Sequence, residues 1–145
     1  MNNPLRVIVD ADGIIAQANP NDSHHQDAVV ISEFLVNKNA QVVYPSTAIA
    51  ESNAFMQRVL NSSASAYDTA VIFTDPHVQV ADVTQEVLKN AMRYFSPTTS
   101  KKNTLFDCIV AAVAQEYKAD AIFSFDKFYK SKGFTLITDL VKVNK

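Results

Sequence analysis

Five short apolar stretches of the chain are predicted to form strands. Val7-Ile8-Val9 is an unbroken run of β-branched residues, which suits a strand that is covered on both faces, as in a parallel sheet. An acid, Asp10, follows this run directly. The other predicted strands are Gln41 to Tyr44, Val78 to Val80, Ala121 to Ser124 and Phe134 to Ile137.

Between these strands the apolar residues recur at helical spacing. Residues 13 to 23 are predicted to be a polar connection and residues 96 to 103 a loop. The predicted helices start at Ser23, at Ser46 or Thr47, at Ala64, at Gln85, at Thr104 and, as a short turn, at Asp126. The order β-α-β-α-α-β-α-α-β-α-β predicts a three-layer α/β/α sandwich with a central, mostly parallel sheet, formed by residues 1–145 as a single domain.

The amino-acid composition constrains the kind of fold and the cellular location, but it does not indicate a function. The chain has 145 residues, 48% of them hydrophobic, and two glycines, which argues against a loop-dominated fold. Its net charge of −2 gives no general signal for nucleic-acid binding. The single cysteine, Cys108, excludes an internal disulfide and is predicted to pack in the core. No signal peptide and no membrane partner are predicted, so we expect a cytoplasmic protein.

Four acids occupy comparable positions in this pattern. Asp10 and Asp126 lie at or just after the carboxyl ends of predicted strands, while Glu51 and Asp107 lie near the amino ends of predicted helices. Parallel strands place such positions at one edge of the sheet, where open α/β sheets bind ligands. We therefore predict that the four carboxylates converge there.

Converging carboxylates predict a metal-dependent hydrolase. Oxygen-only ligands select hard cations, Mg²⁺ or Mn²⁺, rather than zinc. Two such ions can activate a water molecule and stabilise the leaving oxygen in phosphodiester cleavage. Ser124 is predicted to hold a metal-bound water or to orient the carboxylate of Asp126, and Asp12 is a candidate auxiliary ligand.

Each acid also has an ordinary structural interpretation. Asp107 could form a capping box with Thr104, and Asp126 could simply begin the short helix. Asp10 could be a turn former at the end of its strand. Glu51 could pair with Arg58, although its helical row, shared with Phe55 and Val59, is predicted to face the interior.

The same residues resemble a PIN-domain ribonuclease. Val7-Ile8-Val9-Asp10-Ala11-Asp12 is similar to the opening strand and first acid of that family, and Pro45 to Glu51 is similar to the passage that carries the second acid. The strongest likeness is Asp107 to Phe128, which resembles the unit bearing the third and fourth acids, with Ser124 where threonine is common. The resemblance spans about residues 5 to 138.

This resemblance implies a PIN-like fold, Mg²⁺- or Mn²⁺-dependent endoribonuclease activity, and frequent homodimers. In a chain of this size it also implies the toxin of a toxin–antitoxin pair, similar to VapC, which an antitoxin protein blocks. The tail from Val141 to Lys145 has no counterpart.

Lysines flank the predicted acidic centre and are candidate contacts for RNA phosphates. They are Lys101 and Lys102 before the Asp107 helix, and Lys127, Lys130 and Lys132 after Asp126. A solvated lysine face is the alternative. The aromatic residues Phe125, Phe128 and Tyr129 could stack on bases, or could cover the end of the sheet.

Two other functions remain open at this point. Val7 to Gly13 also resembles the nucleophile motif of haloacid-dehalogenase-type phosphatases, in which Asp10 would become an aspartyl-phosphate and Asp12 would act as general acid. Such an enzyme needs a second acidic metal motif after a later strand, and Ala121 to Asp126 offers a single acid. The chain could also be a receiver-like signalling domain or a PIN scaffold that acts through partners without catalysis.

Overall fold

The structure, a computed structural model, describes residues 3–142 and contains one four-stranded parallel sheet within that range. Its strands are β1 (Arg6–Val9), β2 (Gln41–Pro45), β3 (Gln79–Ala81) and β4 (Ala121–Phe123), in the spatial order β3-β2-β1-β4. In the central strand, Val7 pairs with Val42 on one side and with Ala121 on the other. The unbroken apolar run of β1 is fully buried, as a central parallel strand requires.

Helices cover both faces of this sheet. They are α1 (Ala11–Ala18), α2 (His25–Asn37), α3 (Ser46–Arg58), α4 (Ser63–Ile72), α5 (Gln85–Ala91), α6 (Leu105–Glu116) and α7 (Phe128–Ser131). Right-handed crossovers from β1 to β2 to β3 put α1 to α4 on one face, and the return to β4 puts α5 and α6 on the other. Packing of α1 on α2 and α3, and of α5 on α6, agrees with this arrangement. The predicted three-layer sandwich is confirmed.

The predicted polar connection after β1 is wrong, because its first part is the helix α1. Asp10 caps this helix by accepting a hydrogen bond from Ala11 N at 2.7 Å, and Ile14 and Ile15 are buried beneath it. Asp12-Gly13, which suggests a turn, lies in its first turns instead. Gly13 is required there, since a Cβ would lie 2.7 Å from the carbonyl oxygen of Phe123.

Other element boundaries differ in smaller ways. The helix predicted to start at Ser23 begins at His25, and the one predicted to reach Phe95 ends at Ala91. The last predicted strand reduces to one parallel bridge between Ile122 and Leu136, followed by a 3-10 turn at Ile137–Asp139. Of the tail from Val141 to Lys145, residues 143–145 lie outside the described residues.

The core explains why the carboxyl edge of the sheet is rigid. Helix α6 buries every residue from Cys108 to Ala114, and the predicted packing role of Cys108 is confirmed by its complete burial. Phe123 at the end of β4 and Tyr129 in α7 are also fully buried. The side chains that follow β1 and β4 therefore project from a close-packed base.

Candidate active site

The candidate site lies at the carboxyl edge of the sheet, between the adjacent strands β1 and β4. The chain leaves β1 in one direction and reaches β4 from the other, so this edge is a topological switch point, where open α/β sheets bind ligands. Asp10 directly follows β1, and its backbone N–H donates to the Phe123 carbonyl oxygen at 3.1 Å. Ser124 directly follows β4, and Asp126 stands two residues further on.

Asp10 lies at the base of the site, with 4% of its surface exposed. One carboxylate oxygen accepts from Ala11 N at 2.7 Å. The other accepts from the Tyr129 hydroxyl at 2.7 Å and from Ser124 Oγ at 3.3 Å. A buried carboxylate needs such partners, and here they also fix its orientation.

Asp12 stands beside Asp10 and is held by the segment after β4. Its Oδ2 accepts from Ser124 Oγ at 3.0 Å and from Phe125 N at 2.8 Å. Its Oδ1 is buried and has no hydrogen-bond partner within residues 3–142. An unpartnered buried carboxylate oxygen is unfavourable in the protein alone and suits a cation.

The structure shows which groups the Ser124 hydroxyl binds, and its predicted role in holding a metal-bound water stays a prediction. Its hydroxyl binds the carboxylates of Asp10 and Asp12, and it accepts a hydrogen bond from the backbone N–H of Asp126 at 3.1 Å. It therefore does not orient the carboxylate of Asp126 directly. Ser124 therefore connects Asp10 and Asp12, which follow β1, to the backbone of Asp126, which follows β4.

Asp107 and Asp126 share a hydrogen-bond donor. Asn103 Nδ2 donates to Asp126 Oδ2 at 2.9 Å and lies 3.5 Å from Asp107 Oδ2. Asp107 also caps its own helix, accepting from Thr104 N at 2.9 Å, and Asp126 accepts from Phe128 N at 2.9 Å before α7. The capping interpretation of Asp107 is correct and coexists with a position in the site. Asp126 does not begin the short helix, which starts at Phe128.

Glu51 reaches the site from α3 and is half-buried. The prediction that its helical row faces the interior is wrong, because Phe55 and Val59 are 36% and 64% exposed. The alternative pairing of Glu51 with Arg58 is not seen in the described part of the chain. Glu51 faces the acids since α3 begins at the same edge of the sheet, directly after β2.

These side chains meet around one small cavity of about 190 Å³. Its lining contains five carboxylates and three apolar residues, namely Asp10, Asp12, Glu51, Asp107, Asp126, Ala11, Ile15 and Phe55. A larger cavity of about 530 Å³, between α1, α4 and the β2–β3 side of the sheet, has no carboxylate in its lining. The small cavity is therefore the candidate for acid-dependent chemistry, despite its size.

Burial and mutual repulsion raise the pKa values of Asp10, Asp12, Glu51 and Asp107. Burial, followed by the charge of Asp12, raises the pKa of Asp10 well above its ordinary value. Burial raises the pKa of Asp12 to about 6. Burial, with the charges of Asp107 and Asp12, raises the pKa of Glu51 to about 7. Burial also raises the pKa of Asp107.

No basic side chain relieves this repulsion within residues 3–142. The ion pairs in that range are His77–Asp75 and Lys130–Asp139, both on the exposed surface. The donor set, made of carboxylate and hydroxyl oxygens, fits a hard divalent cation. In the same range, no group of three histidine, cysteine or acidic side chains has the spacing to hold a metal ion through protein atoms alone.

The flanking lysines are exposed, as a contact surface for RNA requires. Lys101, Lys102 and Lys127 lie in turns beside the site. Lys130 forms an exposed pair with Asp139 at 3.3 Å, so a phosphate would have to compete with that carboxylate.

Two site residues were missed from the sequence. Tyr129 contacts Asp10 and lies 3.4 Å from Asp107 Oδ1, although its pattern predicts only stacking or packing. Asn103 falls in a polar loop with no local signal. The available sign was the position of Tyr129 three residues after Asp126, because it places the ring near the edge of the sheet where the acids were predicted to converge.

The sequence model of the PIN domain matches residues 7–134, which includes all five carboxylates. The chain belongs to the PIN-domain family. This membership confirms the resemblance on which the expectation of a nuclease rests. Among curated proteins, none matches the sequence.

Three solved structures share this fold at low sequence identity. VapC20 of Mycobacterium tuberculosis, described as a toxin that cleaves the sarcin-ricin loop, is 19% identical, with a TM-score of 0.76 over 89% of this chain and 96% of its own. VapBC2 of Rickettsia felis, bound to a DNA fragment from their promoter, is 14% identical, with a TM-score of 0.64 over 91% and 97%. FitAcB of Neisseria gonorrhoeae is 13% identical, with a TM-score of 0.64 over 90% and 95%.

The helices within residues 3–142 are too short or too polar to cross a membrane. The cytoplasmic location expected from the sequence stays a prediction.

Proposed function

We propose that this PIN domain is an endoribonuclease that depends on Mg²⁺ or Mn²⁺ and cleaves RNA phosphodiester bonds. The observation that carries the proposal is a cavity lined by five carboxylates, none of which has a basic partner within residues 3–142. Such a cluster is unfavourable without a cation. Membership of the PIN family supports nuclease chemistry over the phosphatase alternative, for which a second acidic motif is also missing.

Asp10, Glu51, Asp107 and Asp126 are the proposed metal ligands, with Asp12 as auxiliary ligand through its unpartnered oxygen. A bound divalent cation supplies Lewis-acid activation of water and stabilises the leaving oxygen. Ser124 and Tyr129 orient the carboxylates, and Asn103 holds Asp107 and Asp126 together. No side chain has to act as a nucleophile.

A cleavage assay with the purified chain tests this proposal. Labelled single-stranded RNA should be cut with Mg²⁺ or Mn²⁺ and left intact with EDTA. Asp10→Asn and Asp126→Asn should each lower the rate by at least about 100-fold, because each removes a ligand charge. Asp82→Asn, which changes an exposed acid after β3, is the matched control and should cut normally.

Metal binding is measured separately from cleavage. Mg²⁺ or Mn²⁺ should raise the unfolding temperature of the wild-type chain, and the rise should shrink in Glu51→Gln and Asp107→Asn. Hydrolysis of a small phosphomonoester, with no cleavage of RNA, would contradict the proposal and favour the phosphatase.

We also propose that the chain is the toxin of a toxin–antitoxin pair and that residues 1–145 act as one homodimeric nuclease domain. Expression in a bacterial host should arrest growth, and the Asp10→Asn variant should not. Sedimentation should give about twice the chain mass of 16.0 kDa. Growth that continues with active enzyme present would exclude the toxin role while leaving the ribonuclease proposal intact.

A further inference from the structure

Two aromatic rings stack next to the segment that carries Asp126, outside the lining of the acid cavity. The rings of His24 and Phe125 have centroids 4.1 Å apart and planes only 5° from parallel. Phe125 is half-buried, and its ring meets the fully buried Phe123 edge-on, with centroids 6.1 Å apart. His24 is exposed. Since Phe125 covers one face of the imidazole, the solvent reaches the ring from the other side.

The backbone ties this stack to the acids. Phe125 N–H donates to Asp12 Oδ2 at 2.8 Å, and Asp126 is the next residue. The Phe125 ring therefore projects from the same segment that forms one wall of the cavity. The stack is thus joined through one residue on each side to acids that line the cavity, Asp12 by a hydrogen bond and Asp126 by the chain.

His24 is held in place. The backbone N–H of His24 donates to Asp22 Oδ1 at 2.8 Å, and His24 directly precedes α2. The next side chain, His25, contacts the Ala16 carbonyl oxygen through Nδ1 at 2.7 Å, which connects the start of α2 to α1. The backbone on both sides of His24 is therefore anchored, and Phe125 supports one face of its ring, so the ring loses little conformational freedom when it binds a ligand.

An exposed, fixed ring stack beside a phosphodiester-cleaving site matches the way proteins bind single-stranded RNA. Bases that are not paired stack on aromatic side chains, and such stacking tolerates any base because every base has a π-face. Lys127, which is exposed two residues after Phe125, places a positive charge near the same strand.

We propose that His24 and Phe125 form the binding site for one base of a single-stranded RNA, belonging to a nucleotide beside the scissile phosphate. The base adds a third ring to the stack, on the open face of His24. This inference rests on the proposed ribonuclease function. It adds a binding site for a base of the RNA, whereas the acids act on the phosphate.

The test uses fluorescence anisotropy of a labelled, single-stranded RNA in EDTA, so that binding is measured without cleavage. His24→Ala should weaken binding by about 5- to 100-fold, the range for loss of one base stack. His24→Tyr should restore binding, since it returns a flat ring. His77→Ala removes another exposed histidine, located before β3 outside the acid cavity, and should bind like the wild type.

A modified RNA identifies the contact. With 2-aminopurine placed at one position at a time, one position should lose fluorescence on binding to the wild type and keep it with His24→Ala. An RNA that is abasic at that position should bind the wild type and His24→Ala equally well.

Thermal unfolding checks that the wild type and His24→Ala are both folded. If both then bind RNA with equal affinity, the stack only packs the end of the sheet. That result leaves the ribonuclease proposal intact, because cleavage by the wild type is measured separately. Failure of the wild type to cleave or bind RNA would overturn both.

Discussion

Burial and like charges raise the pKa values of Asp12 and Glu51 above those of ordinary carboxyl groups. The pKa of Asp12 rises from 3.8 to about 6, and the pKa of Glu51 rises from 4.5 to about 7. The folded state therefore binds these protons more tightly than the unfolded chain does. Between the unfolded and folded pKa values, the free energy of unfolding falls as the pH rises.

The metal-free protein should accordingly be more stable at about pH 5.5 than at pH 8. Asp12, the more deeply buried of these two acids, contributes on the order of 1 kcal/mol to this difference, and Glu51 contributes in the same direction, reduced by solvent screening. Asp12→Asn should raise the unfolding temperature at pH 8 and flatten the pH dependence, while the exposed control Asp82→Asn should change neither. Thermal unfolding in EDTA across this pH range measures the effect. If the protein were more stable at pH 8 than at pH 5.5, the clustered acids would not have raised pKa values in the folded state.

Tyr129 supplies the second prediction at this scale, since its hydroxyl donates to the buried Asp10 at 2.7 Å. Tyr129→Phe keeps the ring and removes that donor, which should cost about 1–3 kcal/mol of unfolding free energy. It should also reduce the stabilisation by Mg²⁺, because Asp10 loses a fixed orientation. Tyr67→Phe, which removes an exposed hydroxyl on α4, is the control. An unchanged response to Mg²⁺ would remove Tyr129 from the site.

At the scale of elements, the close packing of α1 on β4 sets the spacing of Asp10, Asp12 and Ser124. This packing depends on Gly13, where a Cβ would lie 2.7 Å from the Phe123 carbonyl oxygen and 2.9 Å from its ring. The helix cannot stay in place with a larger residue, because a carbonyl oxygen of the backbone does not yield as a flexible side chain does.

Gly13→Ala should therefore destabilise the protein by about 1–3 kcal/mol, although alanine favours helix elsewhere. Nuclease activity of the folded fraction should also fall, because the added methyl group would push α1 away from β4 and move Asp12 away from Ser124. Urea unfolding and the RNA cleavage assay measure the two effects. Gln17→Ala in the same helix is the control, and a stable, fully active Gly13→Ala variant would contradict the packing argument.

For the whole molecule, the charge distribution matters more than the net charge of −2. The acids are gathered in one cavity, and exposed lysines lie beside it in the turns before α6 and before α7. RNA phosphates would approach these lysines while the acids hold the cation, so an acidic protein can still bind RNA locally.

Reversing the charge of Lys101 and Lys102 should weaken RNA binding and flatten its salt dependence. The slope of log K against log salt concentration should fall by about 0.7 for each phosphate contact that is lost. Charge reversal at Lys38 and Lys89 is the control and should leave the slope unchanged. Lys38 is exposed at the end of α2, and Lys89 is exposed on α5. An unchanged slope would remove Lys101 and Lys102 from the RNA surface.

Local pattern was sufficient for most of this architecture. The β-branched run before Asp10 specifies a buried parallel strand, as predicted. Local pattern failed at α1, where Asp12-Gly13 has the composition of a turn. It also failed at the row of Phe55 and Val59, since periodicity shows which residues share a face and not which face is covered.

The sequence by itself determined the fold class and the acids that collect at one sheet edge, because strand ends and helix starts are local properties. Only the tertiary structure decided which side chains hold those acids. Tyr129, Asn103 and Ser124 reach Asp10, Asp126 and Asp12 across 119, 23 and 112 residues of chain. Hydrogen bonds over such separations depend on the packing of α1, α6 and α7 against one edge, which no local spacing encodes.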